Sequence, residues 1–374
     1  MVRSFAFLSL LFPMFFVPCN TERTATSQSA NPNGIAADGP HVLYRNQDII
    51  VKYLLDSNGF RRAQTNTYKR SEKNNITLNV ATDEPGKTFT VKLKAKLENE
   101  PADSDAKKIF AVSDLEGNFR AFRKLLQGNG IIDSSFNWTY GDGHLVLTGD
   151  FFDRGDQVTE MLWLIYSLEE KAANAGGYVH FVLGNHEIMN MSGDTRYVHP
   201  KYKEGAELLQ EDYMVLFGEK SELGRWLRTK NVMEKVGPVL FVHAGISGAV
   251  NAAQLTVKRI NNLARPFYDD SLNNYPNETV EMLYSNQGPF WYRGYYQGNP
   301  VAGTAQLDST LRNFRVKHIA TGHTVISDTI SVLHGGKLIN TDVHHAKGHS
   351  WALIMEDGRF YRSDALGQRF LILE

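Results

Sequence analysis

Residues 144–155 read His144-Leu145-Val146-Leu147-Thr148-Gly149-Asp150-Phe151-Phe152-Asp153-Arg154-Gly155. A short apolar run of strand length stops at a glycine, and two carboxylates and an arginine follow at once. Four more apolar runs likewise end in a carboxylate, amide or imidazole, usually near a glycine. Ile109-Phe110-Ala111-Val112 runs into Ser113-Asp114-Leu115-Glu116-Gly117-Asn118, and Tyr178-Val179-His180-Phe181-Val182-Leu183 into Gly184-Asn185-His186-Glu187. Val239-Leu240-Phe241-Val242 runs into His243-Ala244-Gly245, and His318-Ile319-Ala320 into Thr321-Gly322-His323-Thr324. Apolar strands alternating with helical segments indicate an α/β domain. Open α/β folds bind ligands outside the carboxyl ends of their strands. Glycine there lets the chain turn sharply and approach a ligand closely. Polar side chains at buried strand ends need partners, and a metal would supply them to five such ends together.

The candidate ligands are Asp114, Glu116, Asp150, Asn185, His243 and His323. Mixed oxygen and imidazole donors suit manganese, iron or zinc, and a thiolate site is excluded because Cys19 is the chain's one cysteine. His186-Glu187 does not begin a zincin motif, since the second histidine would fall at Asn190. No phosphate-binding loop of the Gly-x-x-x-x-Gly-Lys-Ser/Thr type is present.

Asp114-x-Glu116, Gly149-Asp150-x-x-Asp153-Arg154-Gly155, Gly184-Asn185-His186-Glu187, His243-Ala244-Gly245 and Gly322-His323 together resemble the ordered signature of calcineurin-like metallophosphoesterases. The spacings, 36 residues from Asp114 to Asp150 and 35 from Asp150 to Asn185, are similar to those of the phosphoprotein phosphatase branch. Gly155-Asp156-Gln157-Val158, Gly193-Asp194-Thr195-Arg196-Tyr197-Val198 and Trp291-Tyr292-Arg293-Gly294 resemble the Shewanella-like bacterial phosphatases within it. The resemblance spans residues 107–370 and implies a two-sheet αββα sandwich carrying two metal ions about 3.5–4 Å apart. It implies that Asp114 and Glu116 hold the first metal, that Asp150 bridges both, and that Asn185, His243 and His323 hold the second. His186 would be the general acid, oriented by Asp153; Arg154 and Arg293 would clamp the phosphate, a task the guanidinium fork suits. Arg196 and Tyr197 would shape the pocket. The nucleophile would be a metal-bridging hydroxide.

Two positions depart from the pattern. The family usually has histidine where Glu116 stands, and a carboxylate there favours manganese or iron over zinc. Val325 stands where many phosphodiesterase members carry another histidine, an absence shared with the phosphoprotein phosphatase branch.

The chain has 374 residues and is 42% hydrophobic and 22% charged, which excludes a disordered chain. A formal net charge of −1 gives no electrostatic footprint for nucleic acid. Residues 1–19 form an expected export signal: Arg3, an apolar run from Phe5 to Val17, then Cys19, placed as in a lipidated bacterial lipoprotein. The polar tract that follows predicts a flexible tether over 20–38. A small β subdomain is expected over 39–104, from the apolar stretches 48–54 and 75–80, the strict alternation of 88–94, and turns at Asn58-Gly59 and Pro85-Gly86. The metallophosphoesterase domain would occupy 105–374.

These readings converge on a metal-dependent phosphomonoesterase, exported to the periplasm or cell surface on a lipid anchor, whose partner is a phosphorylated substrate. By resemblance the substrate is phosphoprotein, phosphotyrosine included. A nucleotide pyrophosphatase or diadenosine tetraphosphatase on the same site is the first alternative, and a non-catalytic surface binding protein on this scaffold the second.

Overall fold

The structure is a computed structural model that describes residues 28–30, 35–298 and 300–374. The export signal, with Cys19, lies outside the described residues. Six strands come first: β1 (Gln28–Ala30), β2 (Ile35–Arg45), β3 (Asp48–Ser57), β4 (Phe60–Lys69), β5 (Ile76–Ala81) and β6 (Thr88–Lys92). They form two three-stranded sheets, ordered β2-β3-β4 and β1-β5-β6. The turn between β3 and β4 is Asn58-Gly59, both with positive φ (55° and 83°), the geometry that suits a tight hairpin. The tether expected over 20–38 is corrected in part, because Gln28–Ala30 and Ile35–Asp38 are strand. Gln28–Ala30 pairs with Ile76–Leu78 and Ile35 with Asp56, so backbone pairing with apolar strands outweighs the polar composition.

The remaining twelve strands build two facing six-stranded sheets. They are β7 (Asp103–Ser104), β8 (Lys108–Val112), β9 (His144–Thr148), β10 (Tyr178–Val182), β11 (Met233–Val236), β12 (Val239–Val242), β13 (His318–Thr321), β14 (Ser331–Leu333), β15 (Leu338–Asn340), β16 (Trp351–Glu356), β17 (Arg359–Asp364) and β18 (Arg369–Leu373). One sheet runs β10-β9-β8-β16-β17-β18, the other β14-β15-β13-β12-β11-β7. Within each, three strands are parallel: β8, β9 and β10 in the first, β12, β13 and β15 in the second.

Parallel strands covered on both faces read as unbroken apolar runs, and the packing shows why. Ile109 and Ala111 of β8, Val146 of β9, Val239 and Phe241 of β12 and Ala320 of β13 meet between the sheets. Phe110, Val112, Leu240 and Val242 point the other way, into a second cluster that includes the helices α1 (Phe119–Gly128) and α2 (Val158–Asn174). This is the αββα sandwich the resemblance implies.

Helix α2 is buried on nearly every side, from Val158 to Leu168, because the N-terminal sheets cover the face that the main sheet does not. Trp163 Nε1 donates to Pro40 O at 2.8 Å, and the Tyr166 hydroxyl accepts from Lys94 N at 2.7 Å. Tyr166 also donates to Glu222 at 2.7 Å, and Tyr44 of β2 donates to the same buried carboxylate. The residues of β2, β3, β5 and β6 therefore share one apolar core with the sandwich.

Candidate active site

The parallel strands of both sheets deliver their ends to one place. Past β8 comes Asp114, past β9 Asp150, past β10 Asn185, past β12 His243, past β13 His323 and past β15 Asp342. The first two loops are zipped together by backbone: Asp114 N donates to Gly149 O, Glu116 N to Asp150 O and Gly117 N to Phe151 O, at 2.9–3.0 Å. The loops are strained. Asp114, Glu116, Asp150, Asp153, Arg154 and His323 all have φ between 46° and 70°, a region that costs a non-glycine residue energy and collects at functional sites. Two glycines make room for the carboxylates. A Cβ on Gly184 would collide with Asp150 Oδ1, and one on Gly322 with Asp114 Oδ2.

At the centre, acceptors face acceptors. His243 Nδ1 lies 2.9 Å from Thr148 O, a contact that requires the proton on Nδ1. Its Nε2 then meets Asp150 Oδ2 at 3.2 Å, Asn185 Oδ1 at 3.0 Å and His323 Nδ1 at 3.1 Å. Lone pairs so converged need a cation between them. The same convergence shows in proton affinity: burial works against charge on the His243 imidazole, yet the Asp150 carboxylate outweighs it and pushes the pKa up to about 10, so a proton on Nε2 takes the cation's place when no metal does. Asp150, His243 and His323 form one group able to hold a metal ion; Glu116, Asp150 and His186 come as close together, but His186 Nδ1 is given to Asp153, which leaves the carboxylates of Glu116 and Asp150 as the donors there, and Asp150 belongs to both groups. Asp114 stands beside them, its carboxylate accepting from His323 N at 3.0 and 3.2 Å. The donor set therefore fits divalent or trivalent metal.

Next to this centre, at the start of α3 (Asn185–Ser192), His186 Nδ1 lies 2.6 Å from Asp153 Oδ2. The other oxygen of Asp153 accepts from Asn190 Nδ2 at 2.9 Å, and Asn190 Oδ1 accepts from the Tyr213 hydroxyl at 2.6 Å. Three buried residues, Asp153, Asn190 and Tyr213, thus fix one imidazole edge, and Nε2 is turned toward Asp150, 3.8 Å from Oδ2. Burial pushes the His186 pKa down, but the carboxylates of Asp150 and Asp153 outweigh it and raise it above the ordinary value. Glu187, one residue on, is wholly buried and accepts from the amides of Asp150, Phe151 and Gly184 at 2.7–2.9 Å, which pins the Asp150 loop to α3.

The arginines differ in what they do. Arg154 pairs with Glu116 across the mouth of the site, and its guanidinium carbon sits 5.5 Å from the Tyr197 ring centre. Tyr197 also lies 5.3 Å from the His186 ring, so it does border the centre. Arg293 lines the same cleft, a cavity of about 420 Å³, and spends Nη1 on His323 O and Thr324 Oγ1 at 2.7 and 2.9 Å. Arg196 is not brought to the cleft. It is exposed, folds back onto Asp194 with Nε–Oδ1 at 2.9 Å, and lines a separate cavity. Its charge is met by the carboxylate two residues before it, so nothing draws it inward.

Asp342 escapes the sequence reading. It is 5% exposed, lines the cleft, and burial with the nearby Asp114 and Asp150 carboxylates holds its pKa far above the usual carboxylate range. The available signal was the strand Leu338-Ile339-Asn340 ending in Thr341-Asp342, the same motif without its glycine. His344 and His345 also line the cleft; His344 pairs with Asp328 at 2.8 Å and His345 is buried beside Ser350.

Residues 107–327 match the family model for calcineurin-like phosphoesterase. The structure is similar to that of a cold-active protein-tyrosine phosphatase from a psychrophilic Shewanella species, at 35% identity and a TM-score of 0.80, covering 89% of this chain and 98% of that one. Shewanella-like protein phosphatase 2 of Arabidopsis thaliana is 38% identical over 106 residues, 28% of this chain and 27% of its own. A symmetrical bis(5'-nucleosyl)-tetraphosphatase of Methylococcus capsulatus is 30% identical over 145 residues, 38% of this chain and 45% of its own. The chain spans between 27% and 66% of the lengths of the first curated relatives it matches.

Proposed function

The chain belongs to the calcineurin-like phosphoesterase family, and on that premise we propose that it is a phosphomonoesterase acting on phosphoprotein, phosphotyrosine included. The observation that carries the proposal is the buried Asp153–His186 pair beside the converged ligands. A protein that merely bound phosphate would need the charge but no oriented acid. The likeness to the Shewanella protein-tyrosine phosphatase over 98% of that chain supports the choice of phosphoprotein.

In this reading Asp114, Glu116 and Asp150 would hold one metal and Asp150, Asn185, His243 and His323 the other, with manganese or iron preferred because of Glu116. The metals would supply Lewis-acid chemistry, activating water and neutralising phosphoryl charge. The protein's own residues do the rest. Arg154 and Arg293 stand at the cleft with guanidinium N–H groups to orient the phosphate. His186, protonated, gives its Nε2 proton to the leaving oxygen, and Asp153 holds the ring and stabilises its charge.

The second reading is a dinucleoside tetraphosphatase, favoured by the Methylococcus relative. Purified metal-loaded protein assayed on a phosphotyrosine peptide and on diadenosine tetraphosphate separates the two. Preference for the dinucleotide would overturn the phosphoprotein proposal. We also propose export with Cys19 as the lipid-bearing residue, on the pattern of residues 1–19.

A further inference from the structure

Beside the catalytic cleft lies a second cavity of about 610 Å³, walled by α1, the segment from His345 to Trp351 and the turn at Asp364–Leu366. The two are not independent, for Asn118, His345 and Ala346 line both. Helix α1 buries Phe119, Phe122, Leu125 and Leu126. That leaves Arg120 and Lys124, one turn apart, exposed on the cavity side. Arg123, between them, is committed to Asp83, with both bonds at 2.7 Å. Arg120 and Lys124 have no ion-pair partner among the described residues. His349 lines the same cavity, and Lys347 stands at the edge of the catalytic cleft. The carboxylate in the cavity wall, Asp364, has Oδ1 taken by the amides of Leu366 and Gln368, both at 2.9 Å.

We propose that this cavity is an anion subsite that receives a second negative group of the same substrate whose phosphate enters the catalytic cleft. Arg120 and Lys124 are its binding residues. The chemistry is that of a carboxylate or a further phosphate, and on a phosphoprotein the first is an Asp or Glu side chain near the phosphorylated residue. The inference rests on the phosphoprotein reading for its substrate, and on the shared wall and the two unpaired cations for its place. It makes the enzyme selective for acidic sequence around the phosphorylated residue through KM, because the subsite lies outside the reacting centre.

The test compares wild type with Arg120→Ala/Lys124→Ala on a phosphotyrosine peptide flanked by Asp and Glu, on its Asn and Gln counterpart, on a doubly phosphorylated peptide and on p-nitrophenyl phosphate. Alanine suits an exposed helical position, and circular dichroism checks the fold. Wild type is expected to show a KM about 2- to 10-fold lower for the acidic than for the neutral peptide, the range for two partly solvated charge contacts. The double variant should lose that gap, with kcat and p-nitrophenyl phosphate turnover unchanged, and 0.5 M salt should narrow it in wild type. A gap for the doubly phosphorylated peptide alone would identify phosphate as the second group. An equal gap in both proteins, or an equal loss on acidic and neutral peptides, would overturn the subsite and leave the phosphoprotein reading standing. Hydrolysis of p-nitrophenyl phosphate with none of any phosphopeptide would instead remove the phosphoprotein reading. The subsite is then decided by inhibition with hexaglutamate: inhibition of wild type that the double variant escapes supports it, and none in either overturns it.

Discussion

Glu116 and Arg154, 38 positions apart, form an ion pair across the mouth of the cleft. The pair exists because the loops after β8 and β9 are stacked glycine to glycine: a Cβ on Gly117 would collide with the backbone of Gly155. One carboxylate is thus shared between two duties, as a candidate metal ligand and as the partner of the arginine proposed to orient phosphate. Arg154→Ala should free Glu116 and tighten metal at the first position about 1.5- to 5-fold, the worth of a half-exposed ion pair. Glu116→Gln should bind fewer than two metal equivalents. Metal titration followed by elemental analysis reads both, and two full equivalents bound by Glu116→Gln would remove Glu116 from the ligand set.

His186→Asn should keep its metal and lose about 10²–10⁴ in turnover, the range for one general acid. The loss should shrink for esters whose leaving group needs no proton. A series of aryl phosphates of falling leaving-group pKa measures this as a flattening slope. The same proportional loss along the whole series would show that His186 does not protonate the leaving oxygen.

Gly184→Ala tests the cradle around Asp150. The φ of Gly184 is −94°, which alanine adopts without strain, so any effect comes from the Cβ meeting its neighbours: Asp150, at Oδ1 and at the backbone N, and the His243 ring. Displacing Asp150 by about 1 Å should cost about 10²-fold in turnover and weaken metal, and circular dichroism checks that the fold is kept. An active, fully loaded Gly184→Ala enzyme would mean that Asp150 is not held where the structure has it.

The strand ends are legible because parallel strands buried on two faces leave unbroken apolar runs, and a ligand-type residue, usually with a glycine near it, marks where each stops. Asp342 is not legible in this way because β15 is three residues long and its end carries Thr341 with no glycine near it. Strand β4 is not legible either. Its sequence, Phe-Arg-Arg-Ala-Gln-Thr-Asn-Thr-Tyr-Lys, is polar and mostly exposed, and it forms by pairing along the whole of β3. Pairing between Glu116 and Arg154 could not be read at all, since it depends on how two distant loops stack. Likewise the apolar girdle of α2 announces burial but not which segment covers it, and the N-terminal sheets do so.

Cys19 is the chain's one thiol and stands at the end of the apolar run. If it bears lipid, Cys19→Ser should move active enzyme from the membrane fraction to the soluble one, because stable retention needs more than one acyl chain. Fractionation with a phosphatase assay on each fraction decides it. Wild-type enzyme recovered wholly in the soluble exported fraction would exclude the anchor.

Acid should also act where the N-terminal sheets meet the sandwich. Asp38 of β2 is buried, its Oδ2 2.9 Å from His41 Nε2. Burial raises the pKa of its carboxyl, but the charge and hydrogen bond of His41, with Lys201 beyond it, outweigh burial and hold it down at about 2. A carboxyl whose folded pKa lies below the unfolded value near 3.8 contributes stability that is complete above that value and is lost as pH falls through the folded one. The difference corresponds to about 2 kcal/mol. Asp38→Asn has no proton to take up there. Between pH 5 and pH 2, the unfolding free energy of the wild type should therefore fall by about 2 kcal/mol more than that of Asp38→Asn. Urea unfolding of both proteins across that range measures the difference, and parallel pH profiles would show that the Asp38 carboxyl is not held ionised by His41.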